Sequence, residues 1–275
     1  MRGASGVAIA MRAPDKQIII HTEPLGGIYK SKIIKIPFLR GLIALWDALG
    51  LGMRALTISA NAQTGEDEQL EGPQLWFTLA FAFVFGISLF FLVPASVGQL
   101  SENLFAWNAW WGNLLEGLIR LALLIAYIWL ISLMPDVRRV FAYHGAEHKT
   151  INAFEAGVDL TPENVSHFSL EHPRCGTAFL LTLVLFSVLF FSLLGPLPLS
   201  WRLVSRVIAL PLLAGIAYEY IRWTATHLNS PLVRWIIKPN LALQHLTTRE
   251  PDLEMLEVSI AAFNAMHAEE VPLNL

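Results

Sequence analysis

The sequence predicts a mainly α-helical, polytopic membrane bundle with a small cytoplasmic α+β part. Three observations carry that prediction. Of the 275 residues, 55% are hydrophobic and only 15% charged, and the mean hydropathy is +0.52, a balance a soluble globule does not show. Four segments, 75–93, 114–134, 177–194 and 203–223, each hold about twenty mostly apolar residues, enough for a helix to cross the hydrocarbon core. Trp76, Trp107, Trp110, Trp111, Trp129, Trp201 and Trp223 fall at or near the ends of these segments, where an aromatic belt would sit at headgroup level.

Composition also excludes. A formal net charge of -3 and a pI near 6.2 give none of the basic excess that signals nucleic-acid binding. The single cysteine cannot form an intrachain disulfide, so its thiolate stays available to a metal. The first residues carry Arg2, Arg12 and Lys16 without the apolar core of a signal peptide, so no cleaved leader is expected.

In chain order, 7–11 and 17–21 are short strand-like runs joined by Ala13-Pro14-Asp15-Lys16, which has hairpin turn chemistry. Between 37 and 60 lies a leucine-rich helical pattern in which Arg40, Asp47 and Arg54 recur every seven residues. That narrow charged stripe predicts an interfacial or re-entrant helix. The acidic stretch Glu66-Asp67-Glu68, Glu71 and Gly72-Pro73 reads as a linker to the first span. Near the end, Thr247 with Glu250 reads as a capping box, followed by Leu253, Leu256, Ile260 and Phe263 at helical spacing. The chain thus divides into 1–72 (hairpin and interfacial helix), 73–134 (spans one and two), 135–176 (cytoplasmic motif), 177–228 (spans three and four) and 229–275 (cytoplasmic helix).

Basic residues set the expected topology. Arg2, Arg12, Lys16, Lys30, Lys32, Lys35, Arg40 and Arg54 precede the first span. Arg138, Arg139, Lys149 and Arg174 join spans two and three, and Arg234, Lys238 and Arg249 follow the fourth, whereas 98–108 has no basic residue. The positive-inside rule therefore places both termini in the cytoplasm of a multi-pass cell-membrane protein. Arg202 and Arg206, beside an outer connection, run against the bias. The partners implied are the lipid bilayer and a lipid or membrane protein.

The chemistry concentrates in Tyr143-His144-Gly145-Ala146-Glu147-His148-Lys149-Thr150 and His172-Pro173-Arg174-Cys175-Gly176. Pro135-Asp136 starts a helix and Gly157 ends it, and on that helix His144, His148, Asn152 and Glu155 share one stripe. H-x-x-E-H is also the inverted zinc-hydrolase order. Interfacial histidines are often ordinary hydrogen-bonding residues and a lone cysteine an ordinary buried one. Here, however, His144, His148, His167, His172 and the sole Cys175 share one interhelical segment. Three imidazoles and one thiolate (His144, His148, His172, Cys175) make a tetrahedral set for a divalent cation such as zinc.

Coordination number separates two functions. A site closed by all four ligands would be structural, fixing a platform for a membrane partner. With one ligand standing off, water gains a place, Glu147 is spaced to act as general base, and Glu219 in the fourth span could complete the set as a carboxylate. The competing expectation for Glu219 is an ion pair with Arg222 or Arg120; Glu116 and Arg120 are spaced to pair with each other. Arg174 could neutralise an anionic substrate or lipid phosphate. Transport ranks last, since few polar residues line the spans.

These motifs, together with Gln244-His245-Leu246-Thr247-Thr248-Arg249-Glu250-Pro251, Met11-Arg12-Ala13-Pro14-Asp15 and Arg40-Gly41, resemble the YqhQ-like family across nearly the whole chain. That family comprises bacterial integral membrane proteins catalogued as a domain of unknown function and labelled a predicted metal-dependent enzyme. The resemblance implies a multispanning protein with a cytoplasmic metal motif and supplies no substrate. Relatives carry a glycine-rich stretch ahead of the position of Met1-Arg2-Gly3, which raises the expectation of a missing N-terminal piece.

Overall fold

The computed structural model describes residues 1–26, 36–63 and 73–270. Lys30, Lys32 and Lys35 of the basic count, and Glu66, Asp67, Glu68, Glu71 and Gly72 of the expected linker, lie outside the described residues.

Strands β1 (Gly6–Arg12) and β2 (Ile18–Pro24) form an antiparallel hairpin running from Gly6↔Pro24 to Arg12↔Ile18. Ala13 and Gln17 close the turn, in which Lys16 takes a positive φ of 67°. The hairpin buries Ala8 against Phe263 and Met266 of the last helix, so a two-stranded sheet gains the apolar support it needs.

Helix α1 (Leu39–Gln63) packs its first turns on α8 (Leu199–Thr226). Its charged stripe finds partners on two other elements. Arg40 pairs with Glu219 of α8, and Arg54 pairs with Glu23 of β2 at 2.8 Å. Fourteen residues of helix, about 21 Å, thus lie between a contact with α8 and a contact with the hairpin. The side chain of Asp47 is outside the described residues.

The first expected span runs further than 75–93. Helix α2 (Pro73–Ile87), a π-helical turn (Ser88–Leu92) and α3 (Val93–Phe105) make one rod. Pro94 lies just beyond the expected end at 93, and the π turn before it lets the helix continue through the proline. The Phe90 carbonyl, four residues before Pro94, accepts a hydrogen bond from Arg120 Nε at 2.9 Å instead. Ala106, at φ 51°, turns the chain, and the Asn108 side chain caps α4 (Ala109–Ile131) by accepting from the Trp111 amide.

Then come α5 (Pro135–Glu155), the short α6 (Pro162–Ser166), α7 (Gly176–Ser192), α8, α9 (Pro231–Ile236), α10 (Lys238–Thr247) and α11 (Leu253–Glu270). Among the described residues four helical stretches are long and apolar enough to cross a membrane: Leu39–Ser59, Trp76–Phe105, Ala109–Ile131 and Leu199–Thr226. The count agrees with expectation and the membership does not. The expected third span is the 17-residue α7, enclosed between α4 and α8, whereas α1 meets the length criterion.

The expected capping box is also corrected. Thr247 closes α10 and Glu250 pairs with Lys149, so the start of α11 falls to Asp252, whose carboxylate accepts from the Met255 amide at 2.7 Å. Helix α11 packs on α5, α6 and the hairpin, with Leu256 and Ile260 buried against Ala146, Ala153 and Val165.

Candidate metal centre

Helix α5 carries the first half of the site. Its end is a Schellman motif: the Gly157 amide donates to Phe154, Val158 donates to Ala153, and Gly157 sits at φ +70°. Gly145, between the two histidines, is where the segment after α10 lies directly on α5. A Cβ there would fall 2.2 Å from the Arg249 carbonyl oxygen, and the Arg249 amide donates to Phe141.

The returning loop is stitched to α5 by side chains of the predicted stripe and its neighbour. Lys149 Nζ donates to Ser166 at 2.7 Å, and Asn152 donates to the Ser169 and Glu171 carbonyls at 2.9 and 3.0 Å. At its end a tight turn, closed by the Cys175 amide donating to His172, delivers Cys175 as N-cap of α7. Gln244 of α10 fixes that turn from below. Its oxygen accepts from the His172 amide and its nitrogen donates to the His172 carbonyl, both at 2.9 Å.

Three of the four expected ligands converge. The ligand atoms of His144, His148 and Cys175 all lie within 4.8 Å of one another, with His144 Nε2 3.2 Å from the Cys175 sulfur. Each ring is held from behind: His144 Nδ1 donates to the Thr247 carbonyl at 2.8 Å and His148 Nδ1 to that of Leu170 at 2.6 Å. A carbonyl can only accept, so Nδ1 carries the proton and Nε2 is the nitrogen turned inward, the arrangement in which imidazoles bind metals.

His172 stands apart. Its ring centre is 5.8 Å from that of His148, and its buried Nε2 has no hydrogen-bond partner among the described residues; the nearest carboxylate oxygen, of Glu155, is 3.7 Å away. Glu155 is engaged by Arg174. His144, Glu147, His148, Glu155, His172, Arg174 and Cys175 all line one cavity of about 310 Å³. Glu147 therefore reaches the cavity, and Glu219 does not. Two of its contacts, from Arg40 Nε at 2.6 Å and from the Phe38 amide at 3.2 Å, occupy one carboxylate oxygen, and Arg40 Nη2 takes the other. Its partner is thus neither Arg222 nor Arg120.

Electrostatics favour charge separation inside the cluster. Burial pushes the Cys175 thiol up, but hydrogen bonds and charge from His144 and His148 outweigh it and bring it down to about 5. Burial opposes protonation of His144, yet its bond to Cys175 and the carboxylate of Glu147 leave it raised. His172 is lowered, first by burial and then by Arg174 and His148, against the pull of Glu155, so it tends to stay neutral.

The donor set fits a borderline-soft divalent cation. Two ligands at about 2.0 and 2.3 Å from one ion are roughly 3.5 Å apart at a tetrahedral angle, close to the nitrogen–sulfur separation here. The backing groups escaped sequence reasoning because Leu170 and Thr247 contribute main-chain oxygens, which no residue pattern encodes. Gln244 lies in a motif that carried the resemblance but had no partner to suggest its role.

Residues 36–269 match the family described as Protein of unknown function (DUF1385). Over 272 residues the chain is 35% identical to the Uncharacterized protein YqhQ of Bacillus subtilis (strain 168), an alignment covering 94% of this chain and 85% of that protein. No solved structure matches. With most of its length matched in both comparisons, the chain belongs to the DUF1385 family of YqhQ-like proteins.

Proposed function

We propose that this is a multispanning membrane protein, both termini cytoplasmic, whose cytoplasm-facing His144–His148–Cys175 cluster holds a divalent cation of the zinc type and hydrolyses a lipid, a lipid-linked precursor or a membrane peptide. The observation that carries the reading is the stand-off of His172. Three ligand atoms cluster while the fourth imidazole and Glu147 line the same cavity, the pattern of an open rather than a closed coordination set. A cation there would supply Lewis acidity and make water easier to deprotonate. The chain's own part is distinct. Nδ1–H bonds to Leu170 and Thr247 fix both rings, Glu147 offers a carboxylate to take the proton, and Arg174 stands at the rim to meet an anionic group.

The second reading, a structural site in a non-catalytic scaffold, is favoured by the unpartnered Nε2 of His172, which could close the set, and by thiolate ligation. One pair of measurements separates them. Purified protein is expected to carry close to one equivalent of metal, by plasma mass spectrometry, and His148→Ala or Cys175→Ala to lose it; metal retained in both variants removes the site. Glu147→Gln is expected to keep metal and fold yet fail to complement a deletion strain. Full complementation would favour the scaffold.

A further inference from the structure

At the opposite end of the bundle, where α3 ends and α4 and α8 begin, five ionised side chains pack together. Glu116 receives Arg206 in a fork, Nε at 2.9 Å and Nη2 at 2.7 Å, and Arg120 at 2.7 Å. Arg206 also donates to Asn113 at 2.8 Å, and Arg202 pairs with Glu102. Three guanidinium groups thus face two carboxylates, and the cluster keeps one positive charge. Arg202 is 1% exposed, and its Nε and Nη1 have no hydrogen-bond partner among the described residues; the Glu116 oxygen 3.9 Å from Nε is beyond bonding range. A fully buried guanidinium with two of its three nitrogens unbonded, inside a cluster of excess positive charge, is short of an anion.

The position says which anion. Arg202 is the fourth residue of α8, about 5 Å from the helix start, and exposed Trp107, Trp110, Trp111 and Trp201 surround that end. Such a belt marks headgroup level, where phosphates lie. Arginine forks match phosphate oxygens in geometry as well as charge.

We infer that this arginine cluster binds the phosphate of an anionic lipid headgroup, through the free Nε and Nη1 of Arg202, in the leaflet remote from the histidines. The inference rests on the membrane-spanning part of the proposed function and on none of its metal chemistry. Its test is native mass spectrometry on detergent-purified full-length protein given phosphatidylglycerol, phosphatidylcholine or diacylglycerol of identical acyl chains. Wild type is expected to retain phosphatidylglycerol at least about tenfold better than diacylglycerol, with phosphatidylcholine between. Arg202→Gln, which can still bond Glu102, should bring the three to parity. Equal retention of phosphatidylglycerol and diacylglycerol by wild type overturns the site without any variant, as does undiminished preference in Arg202→Gln. Displacement of bound lipid by millimolar inorganic phosphate would assign the site to free phosphate and overturn the lipid. Metal-free protein should behave like the metal-loaded form, so failure of the metal reading leaves this result readable.

Discussion

The two ends of the bundle bury polar side chains by opposite means. At the histidine end main-chain groups take part in every holding contact: the Thr247 and Leu170 carbonyls take one nitrogen of each ring, and the Gln244 side chain clamps the His172 amide and carbonyl of the turn before Cys175. What remains, two imidazole nitrogens and a sulfur, points at a common space. At the arginine end side chains hold one another. Glu116 accepts from both Arg120 and Arg206, and among the described residues only Phe90 and Leu194 lend main-chain oxygens. Backbone support leaves donor atoms free for an outside ligand, whereas mutual pairing makes each charge depend on the next. The first end should tolerate loss of a member in the absence of metal, and the second should not.

The strongest way to break that contrast is at Glu116. Removing its charge leaves Arg120 and Arg206 buried without a counter-ion, a change worth about 3–5 kcal/mol in comparable buried pairs. Glu116→Gln is therefore expected to lower the unfolding midpoint in detergent far more than His148→Ala does in metal-free protein. Equal shifts would mean that the arginine end is hydrated and screened, and the distinction between the two ends would fall.

A smaller effect sharpens the other side. Gly145→Ala places a methyl against the Arg249 carbonyl, and overpacking of this kind costs about 1–3 kcal/mol. Because Thr247, which orients His144, lies two residues from Arg249, the variant should also weaken metal retention while leaving the α4–α8 bundle intact. Undiminished retention would show that the Thr247 carbonyl is not what aims the ring.

The same contrast explains how far the sequence could be read. His144, His148, His172 and Cys175 lie within 32 positions, on one helix and the turn that returns to it, so helical spacing and turn chemistry were enough to bring three of them together. The hairpin and the limits of α5 were legible for the same reason, being set by Pro14, Pro135 and Gly157 locally. The arginine cluster draws on Glu102, Glu116, Arg120, Arg202 and Arg206, from three helices, and only the pair four residues apart was visible. Arg202 and Arg206, read from the sequence as residues beside an outer connection that run against the charge bias, are buried and paired with Glu102 and Glu116 of other helices. Glu219 misled likewise, since its partner Arg40 is 179 residues away. The length of the first rod was hidden because a proline that should end a helix is accommodated by a π turn whose freed carbonyl is taken up by a distant arginine.

The smallest predicted effect bears on whether the histidine end is itself ionic. With its thiol brought down to about 5, Cys175 in metal-free protein is a thiolate at neutral pH, beside a His144 whose affinity for a proton is raised. The ultraviolet thiolate absorbance should then vanish only as pH falls through about 5, and it should be present in full well below the ordinary thiol value near 9. In His144→Ala the largest opposing influence is gone, burial dominates, and the midpoint should move upward. A wild-type midpoint near the ordinary value would mean a neutral thiol and neutral rings, and the two ends would differ in charge as well as in support. A midpoint near 5 makes them alike in one respect: each holds opposite charges in contact inside the protein. A cation entering the histidine end would then displace a proton from an imidazole and leave the thiolate as it is, so the thiol would contribute no steep pH dependence to metal uptake above that value.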